Sequence, residues 1–159
     1  MAPTRTGPTT GEALVDLLAQ HGVDTVFGIP GVHTIELYRG LPTAGIRHVS
    51  PRHEQGAAFM ADAYARVTGR PGVCTLITGP GVTNAATPIA QAHHDSQPLL
   101  VLSSTTATPD LLRGHGPLHD LPDQQALTAT ITGFSETVLD PGRLPDVLGR
   151  AFDLFASAR

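Results

Sequence analysis

The stretch SPRHEQGAAFMADAYAR, residues 50–66, places an acid, Glu54, where a short apolar strand near IRHVS gives way to a helix. From Gln55 to Val67 the chain is rich in alanine and large apolar residues, with Phe59, Ala63 and Tyr64 at helical spacing. That pattern predicts a helix buried on most of its sides. A carboxylate in its first turn gains about 0.3–1 kcal/mol from the helix dipole, while desolvation among apolar groups opposes its charge more strongly. An isolated glutamate at a helix start is ordinarily a solvated capping residue, so the surroundings of Glu54 decide what it does.

Upstream, TTGEALVDLLAQHG, residues 9–22, predicts a first helix, with Thr9 and Glu12 as a capping box and Gly22 as a stop. DTVFGIPG, 24–31, reads as a brief strand running into a turn, followed by a weaker helix around HTIELYRGL, 33–41. Downstream, GVCTLITG, 72–79, is a third strand, and GPGVTNAATPIAQAHHD is a glycine turn leading into a helix that Pro88 shortens or makes irregular. QPLLVLSS, 97–104, is a fourth strand. After a polar stretch from Thr105 to Gln125, FSETVL, 134–139, reads as a fifth strand, and PGRLPDVLGRAFDLFASAR as a closing helix that begins near Pro145 or earlier. Near-continuous apolar strands joined by helices predict an α/β fold, a parallel sheet covered on both faces, with its site in the loops at the strand carboxyl ends.

Three such loops follow predicted strands: GIPG at 28–31, PRHE at 51–54 and TGPGVTN at 78–84. Their convergence on one rim is the useful inference, because glycines let backbone approach a ligand and offer amide donors, although glycine turns are also ordinary connectors. GPGVTN lacks the GxGxxG spacing of a dinucleotide fingerprint, and no GxxxxGK[ST] loop occurs, which disfavours a Rossmann nucleotide site.

Composition narrows the field further. The 159 residues are 40% hydrophobic and 15% charged, with a net charge of −4, which suits one globular domain and offers no basic stripe for nucleic acid. MAPTRTGPTT has no apolar signal core, and no charge-free apolar run is long enough to cross a bilayer, so the reading is a cytoplasmic protein with no membrane partner. Cys74 is the lone cysteine and reads as a small buried strand residue. His93 and His94 diverge by about 100° on a helix and lack a carboxylate to complete a metal site. Arg52 and His53 receive no chemical role.

Taken together, GIPG, RHEQGAAFMADAYAR and TGPGVTNAATPIAQAHHDSQPLLVL resemble the pyrimidine-binding domain of thiamine diphosphate enzymes of the acetolactate synthase and 2-oxo acid decarboxylase superfamily. The resemblance runs from about Thr10 to the last residue. It implies a three-layer α/β/α fold with a parallel sheet, a pyrimidine-binding domain over 10–159, and an amino-terminal arm over 1–9. It further implies that Glu54 hydrogen-bonds the cofactor aminopyrimidine and promotes the imino tautomer, whose nitrogen takes the thiazolium proton. Pro30, Gly31, Thr78, Gly79 and Pro80 are then cofactor-binding positions. Asn84 either caps its own turn or touches the cofactor. Ile77 and Thr78 stand where benzoylformate decarboxylase-like members carry a histidine, so proton relay comes from elsewhere.

GHGPLHDLPDQQ, 114–125, is the expected substrate loop, outside regular elements, with His115, His119, Asp120, Asp123 and Gln124 as its candidates. An exposed connector with solvated histidines is the alternative. The loop is unlike the phenylalanine-glutamine-glutamate segment of acetolactate synthases and is similar to decarboxylases acting on 5-guanidino-2-oxopentanoate. Asp120 and Asp123 suit a guanidinium through charge-assisted hydrogen bonds, and His115 and His119 suit proton relay.

Family members hold the diphosphate through Mg2+ bound by a GDG motif in a separate domain, and this chain has no GDG. A net acidic domain does not hold a diphosphate well without that metal, so a diphosphate-binding partner domain or subunit is expected, and no metal ligand in this chain. The resemblance places the active site between domains of different subunits of a homo-oligomer. Five strands are counted where the family fold has six, with the sixth inserted inside the sheet, so the domain is expected to be incomplete at its carboxyl end. The reading is a thiamine diphosphate-dependent 2-oxo acid decarboxylase part, with an acetolactate synthase-like carboligase and a non-catalytic interaction module as alternatives.

Overall fold

The computed structural model describes residues 7–114 and 116–157. Helix α1 (Thr10–Gln20) opens on the capping box: Glu12 N–H donates to Thr9 Oγ1 at 3.2 Å and Thr9 N–H to Glu12 Oε2 at 2.7 Å. Strand β1 (Thr25–Gly28), helix α2 (Ile35–Thr43), strand β2 (Arg47–Val49), helix α3 (Glu54–Thr68) and strand β3 (Gly72–Leu76) follow. The next helix breaks in two, α4 (Pro80–Asn84) and α5 (Ala86–His94), three residues before Pro88, whose missing N–H cannot continue a regular ladder. Strand β4 (Leu99–Ser103), helix α6 (Gln124–Ala129) and helix α7 (Leu144–Ser157) complete the order.

The four described strands form a parallel sheet in the order β2-β1-β3-β4, with Phe27 opposite both Val49 and Cys74, and Cys74 opposite Val101. Alternation along the strands sends side chains to opposite faces. Val26, Val73 and Leu100 join Val15, Leu18, Leu41 and Leu148 beneath α1, α2 and α7. Phe27, Cys74 and Leu76 join Ala57, Ala58, Ala61, Val82 and Ile89 beneath α3, α4 and α5. The three-layer α/β/α architecture follows from those two cores. Among the described residues, no helix is long and apolar enough to cross a membrane.

Three local expectations change. FSETVL forms no strand: its backbone is held by a side chain, Thr137 N–H donating to Gln125 Oε1 at 3.2 Å, and no described strand pairs with the outer edge of β4. Helix α3 is buried on one side only. Ala57, Ala58 and Ala61 pack on the sheet while Ala63 is exposed and Phe59, Met60 and Val67 are 43, 42 and 86% exposed. The small face permits close approach, since a Cβ on Gly72 would lie 2.0 Å from the Ala61 carbonyl oxygen. Finally, the loop 114–125 does not end irregularly: Asp123 accepts from Ala126 N–H at 2.8 Å as the cap of α6, so Gln124 is helical.

Candidate functional site

Because the sheet is parallel, the loops after β1, β2 and β3 emerge on one rim, and they meet there. Glu54 begins α3, behind an extended His53 whose Nδ1 accepts from Gln55 N–H at 3.2 Å. Glu54 is half-buried. Asn84 Nδ2 reaches across from the end of α4 and donates to Glu54 Oε2 at 2.9 Å, which leaves Oε1 without a hydrogen bond among the described residues. Asn84 is therefore not a local cap: its Nδ2 serves Glu54, while its Oδ1 makes no hydrogen bond among the described residues. A Cβ placed on Gly81 would come 3.7 Å from Glu54 Cγ and 2.7 Å from Ile77 Cγ2, and one on Gly31 would come 2.4 Å from Ile77 Cδ1. Ile77 thus stands as an apolar wedge between the first and third loops.

Each glycine loop is braced from behind. In the first, Thr34 Oγ1 accepts from Gly31 N–H at 3.0 Å, and the Gly28 carbonyl lies 2.8 Å from His48 Nε2. Pro30 is exposed at its tip. In the third, Gly79 takes φ +67 and ψ −114, and the His119 carbonyl oxygen occupies the space a Cβ would need, 2.1 Å away. Thr78 and Gly79 are buried and Pro80 is exposed.

Gln124 belongs to this turn rather than to an open loop. Its Oε1 accepts from Thr78 Oγ1 at 2.9 Å and from Gly79 N–H at 2.8 Å, while its Nε2 donates to Ser103 Oγ at 3.2 Å and Ser104 O at 3.0 Å. Beside it lies a cavity of about 480 Å³, lined in part by Thr105, Thr106, Asp120, Asp123, Gln124 and Gln125. The Asp120 carboxylate makes no hydrogen bond among the described residues, and Thr106 Oγ1 is buried without a partner. His115 lies outside the described residues. His119 comes instead beside His33, ring centroids 6.3 Å apart, each with a buried Nδ1 that has no partner. Sequence reasoning missed His33, which follows the first glycine loop by two residues; only the fold reveals its neighbour.

Cys74, on the buried strand β3, is chemically quiet. Burial pushes the Cys74 thiol up to about 12, so it stays protonated. No group of three or more His, Cys, Asp or Glu among the described residues is arranged to hold a metal ion.

The segment that builds this arrangement matches a known family in sequence. Residues 8–127 match the family described as thiamine pyrophosphate enzyme, N-terminal TPP binding domain. The chain belongs to that family. It is 62% identical over its whole length to a probable 2-ketoarginine decarboxylase of Pseudomonas aeruginosa, of which it covers 28%. It is 43% identical over 149 residues, 93% of the chain, to the acetolactate synthase isozyme 3 large subunit of Escherichia coli, of which it covers 25%. An acetolactate synthase of Arthrospira platensis is 40% identical over 151 residues, 92% of the chain and 26% of that protein. The chain therefore spans about a quarter of the length of these relatives. Its residues fit the pyrimidine half of the family's cofactor: a carboxylate oxygen with no hydrogen bond among the described residues, backbone turns on either side and an apolar wedge between them.

Proposed function

We propose that this chain is the pyrimidine-binding part of a thiamine diphosphate-dependent 2-oxo acid decarboxylase, active with a diphosphate-binding domain or subunit that holds Mg2+. The observation that carries the reading is the Glu54 carboxyl, held by Asn84 through Oε2 while Oε1 is left to a ligand. When bound, the cofactor supplies a nucleophilic carbon and a store for the electrons released as carbon dioxide leaves. Glu54 holds and exchanges a proton with the aminopyrimidine ring at Oε1. Asn84 keeps the carboxyl aimed, Ile77 excludes water, and backbone at Pro30, Gly31, Thr78, Gly79 and Pro80 forms the walls. The net charge of −4 and the absence of a GDG motif support leaving the diphosphate and its metal to the partner.

The substrate in this reading is a small 2-oxo acid with a cationic tail. The relative named for 2-ketoarginine supports this, as does the cavity of about 480 Å³ with Asp120 and Asp123 in its wall. That volume lies within the usual range for small-molecule sites. Asp123 uses Oδ1 to cap α6, so Asp120 is the better placed partner for a guanidinium. His115 and His119 serve as proton-relay candidates, and the whole enzyme works as a homo-oligomer in the cytoplasm.

The test joins the chain to a diphosphate-binding domain with thiamine diphosphate and Mg2+, then analyses products from 2-oxo acids with cationic and neutral tails. An aldehyde and carbon dioxide are expected, with Asp120→Asn raising KM for the guanidino acid about tenfold and leaving a small neutral acid unaffected. A hydroxyketone product would instead favour the acetolactate synthase-like carboligase, which the relatives at 40 and 43% identity support. Turnover unchanged by Glu54→Gln would leave a non-catalytic interaction module.

A further inference from the structure

We infer that Gln124 is a positioning residue that locks the third loop to the wall of the substrate cavity, so that the cofactor and substrate sides of the site are built as one piece. The inference rests on the function proposed above and reassigns a residue that sequence reasoning placed among direct substrate contacts.

A glutamine side chain has two acceptor lone pairs and two N–H donors, and Gln124 commits all four to protein. Oε1 takes the Thr78 hydroxyl and the Gly79 amide; Nε2 gives to Ser103 Oγ and the Ser104 carbonyl. The amide orientation is decided by the backbone, since Gly79 N–H can only donate and Ser104 C=O can only accept. Nothing polar remains for a substrate. The bonds join the start of α6, the end of β4 and the turn between β3 and α4, three places far apart in the chain.

Among the described residues the Gly79 amide makes no other hydrogen bond, and Gly79 is buried, so without Gln124 its N–H loses its partner. That amide belongs to the turn whose next glycine, Gly81, packs 3.7 Å from Glu54 Cγ when given a Cβ. Thr78 and Gln124 also line the cavity that holds Asp120 and Asp123. One amide therefore sets the backbone next to the acid and the floor of the neighbouring cavity.

The test uses Gln124→Met, which keeps the volume and removes all four bonds, in the protein joined to its diphosphate-binding domain. Amide hydrogen exchange over residues 78–81 is expected to speed up with no cofactor present. Calorimetry is expected to show the thiamine diphosphate Kd rising about tenfold, with kcat falling and KM for the 2-oxo acid within threefold of the parent. Should Gln124→Met fail to fold, Thr78→Val removes one donor to the same oxygen, with about threefold effects in the same direction expected. A raised KM with unchanged exchange and unchanged cofactor affinity, in either variant, overturns the inference and returns Gln124 to direct substrate contact. Failure of the parent protein to bind thiamine diphosphate would instead defeat the proposed function, and the exchange measurement would still report on the lock.

Discussion

Two acids stand at opposite ends of the same parallel sheet, and they are treated differently. Asp24, just before β1, receives the Thr25 and Tyr64 hydroxyls at 2.8 Å on Oδ1 and the Arg70 guanidinium at 2.6 Å on Oδ2. Those bonds, that from Tyr64 foremost, pull its carboxyl down to about 2. Glu54, at the carboxyl rim, receives Asn84 alone among the described residues. Saturation makes Asp24 a brace. Incompleteness leaves Glu54 available for a ligand, and the difference between the acids lies in how many donors the fold aims at each.

The comparison breaks first at Glu54. Glu54→Gln preserves shape and the contact to Asn84, so stability should change by less than about 0.5 kcal/mol while kcat of the assembled enzyme falls at least ~100-fold. Thermal unfolding beside steady-state kinetics reads both. A large loss of stability would mean that Glu54 is a brace after all.

Asn84→Ala sharpens the contrast at a smaller scale. It leaves the acid in place but unaimed, and kcat should drop about tenfold, equivalent to roughly 1.4 kcal/mol of barrier. A drop as deep as that of Glu54→Gln would give Asn84 a direct part in the chemistry.

The smallest effect belongs to Asp24→Asn, with activity unchanged and stability at neutral pH lowered by about 0.5–1 kcal/mol, modest because the site is half exposed. The sign with pH follows from its lowered value. Stability from Asp24 is fully present above the unfolded-state value of about 3.9 and is lost as pH falls through about 2. Urea titrations between pH 5 and 2 should therefore show the parent and variant converging as the solution becomes more acidic.

Local features of this fold were legible because their causes are local. Thr9 and Glu12 form a capping box within one turn, and the alternation of Val26 with Phe27 and of Val73 with Cys74 sorts the strands between two cores. Convergence of the three loops was legible too, since parallel strands must emit them on one rim. What stayed hidden was pairing at a distance. Asn84 meets Glu54 across 30 residues and Gln124 meets Thr78 across 46, and no spacing rule couples such positions. FSETVL has strand composition, yet a strand also needs a neighbour, and composition does not report one. Helix α6 is short and polar, with Pro122 before its cap, so its sequence looks like loop.

The tight seat of α3 on β3 reaches the chemistry by leverage. Ala61 lies seven residues, about 10 Å of helix rise, from Glu54. A single methyl added at Gly72 must lift a stiff rod at that point, and the rod's tip carries the carboxyl. A buried position on the strand thereby bears on where the acid stands.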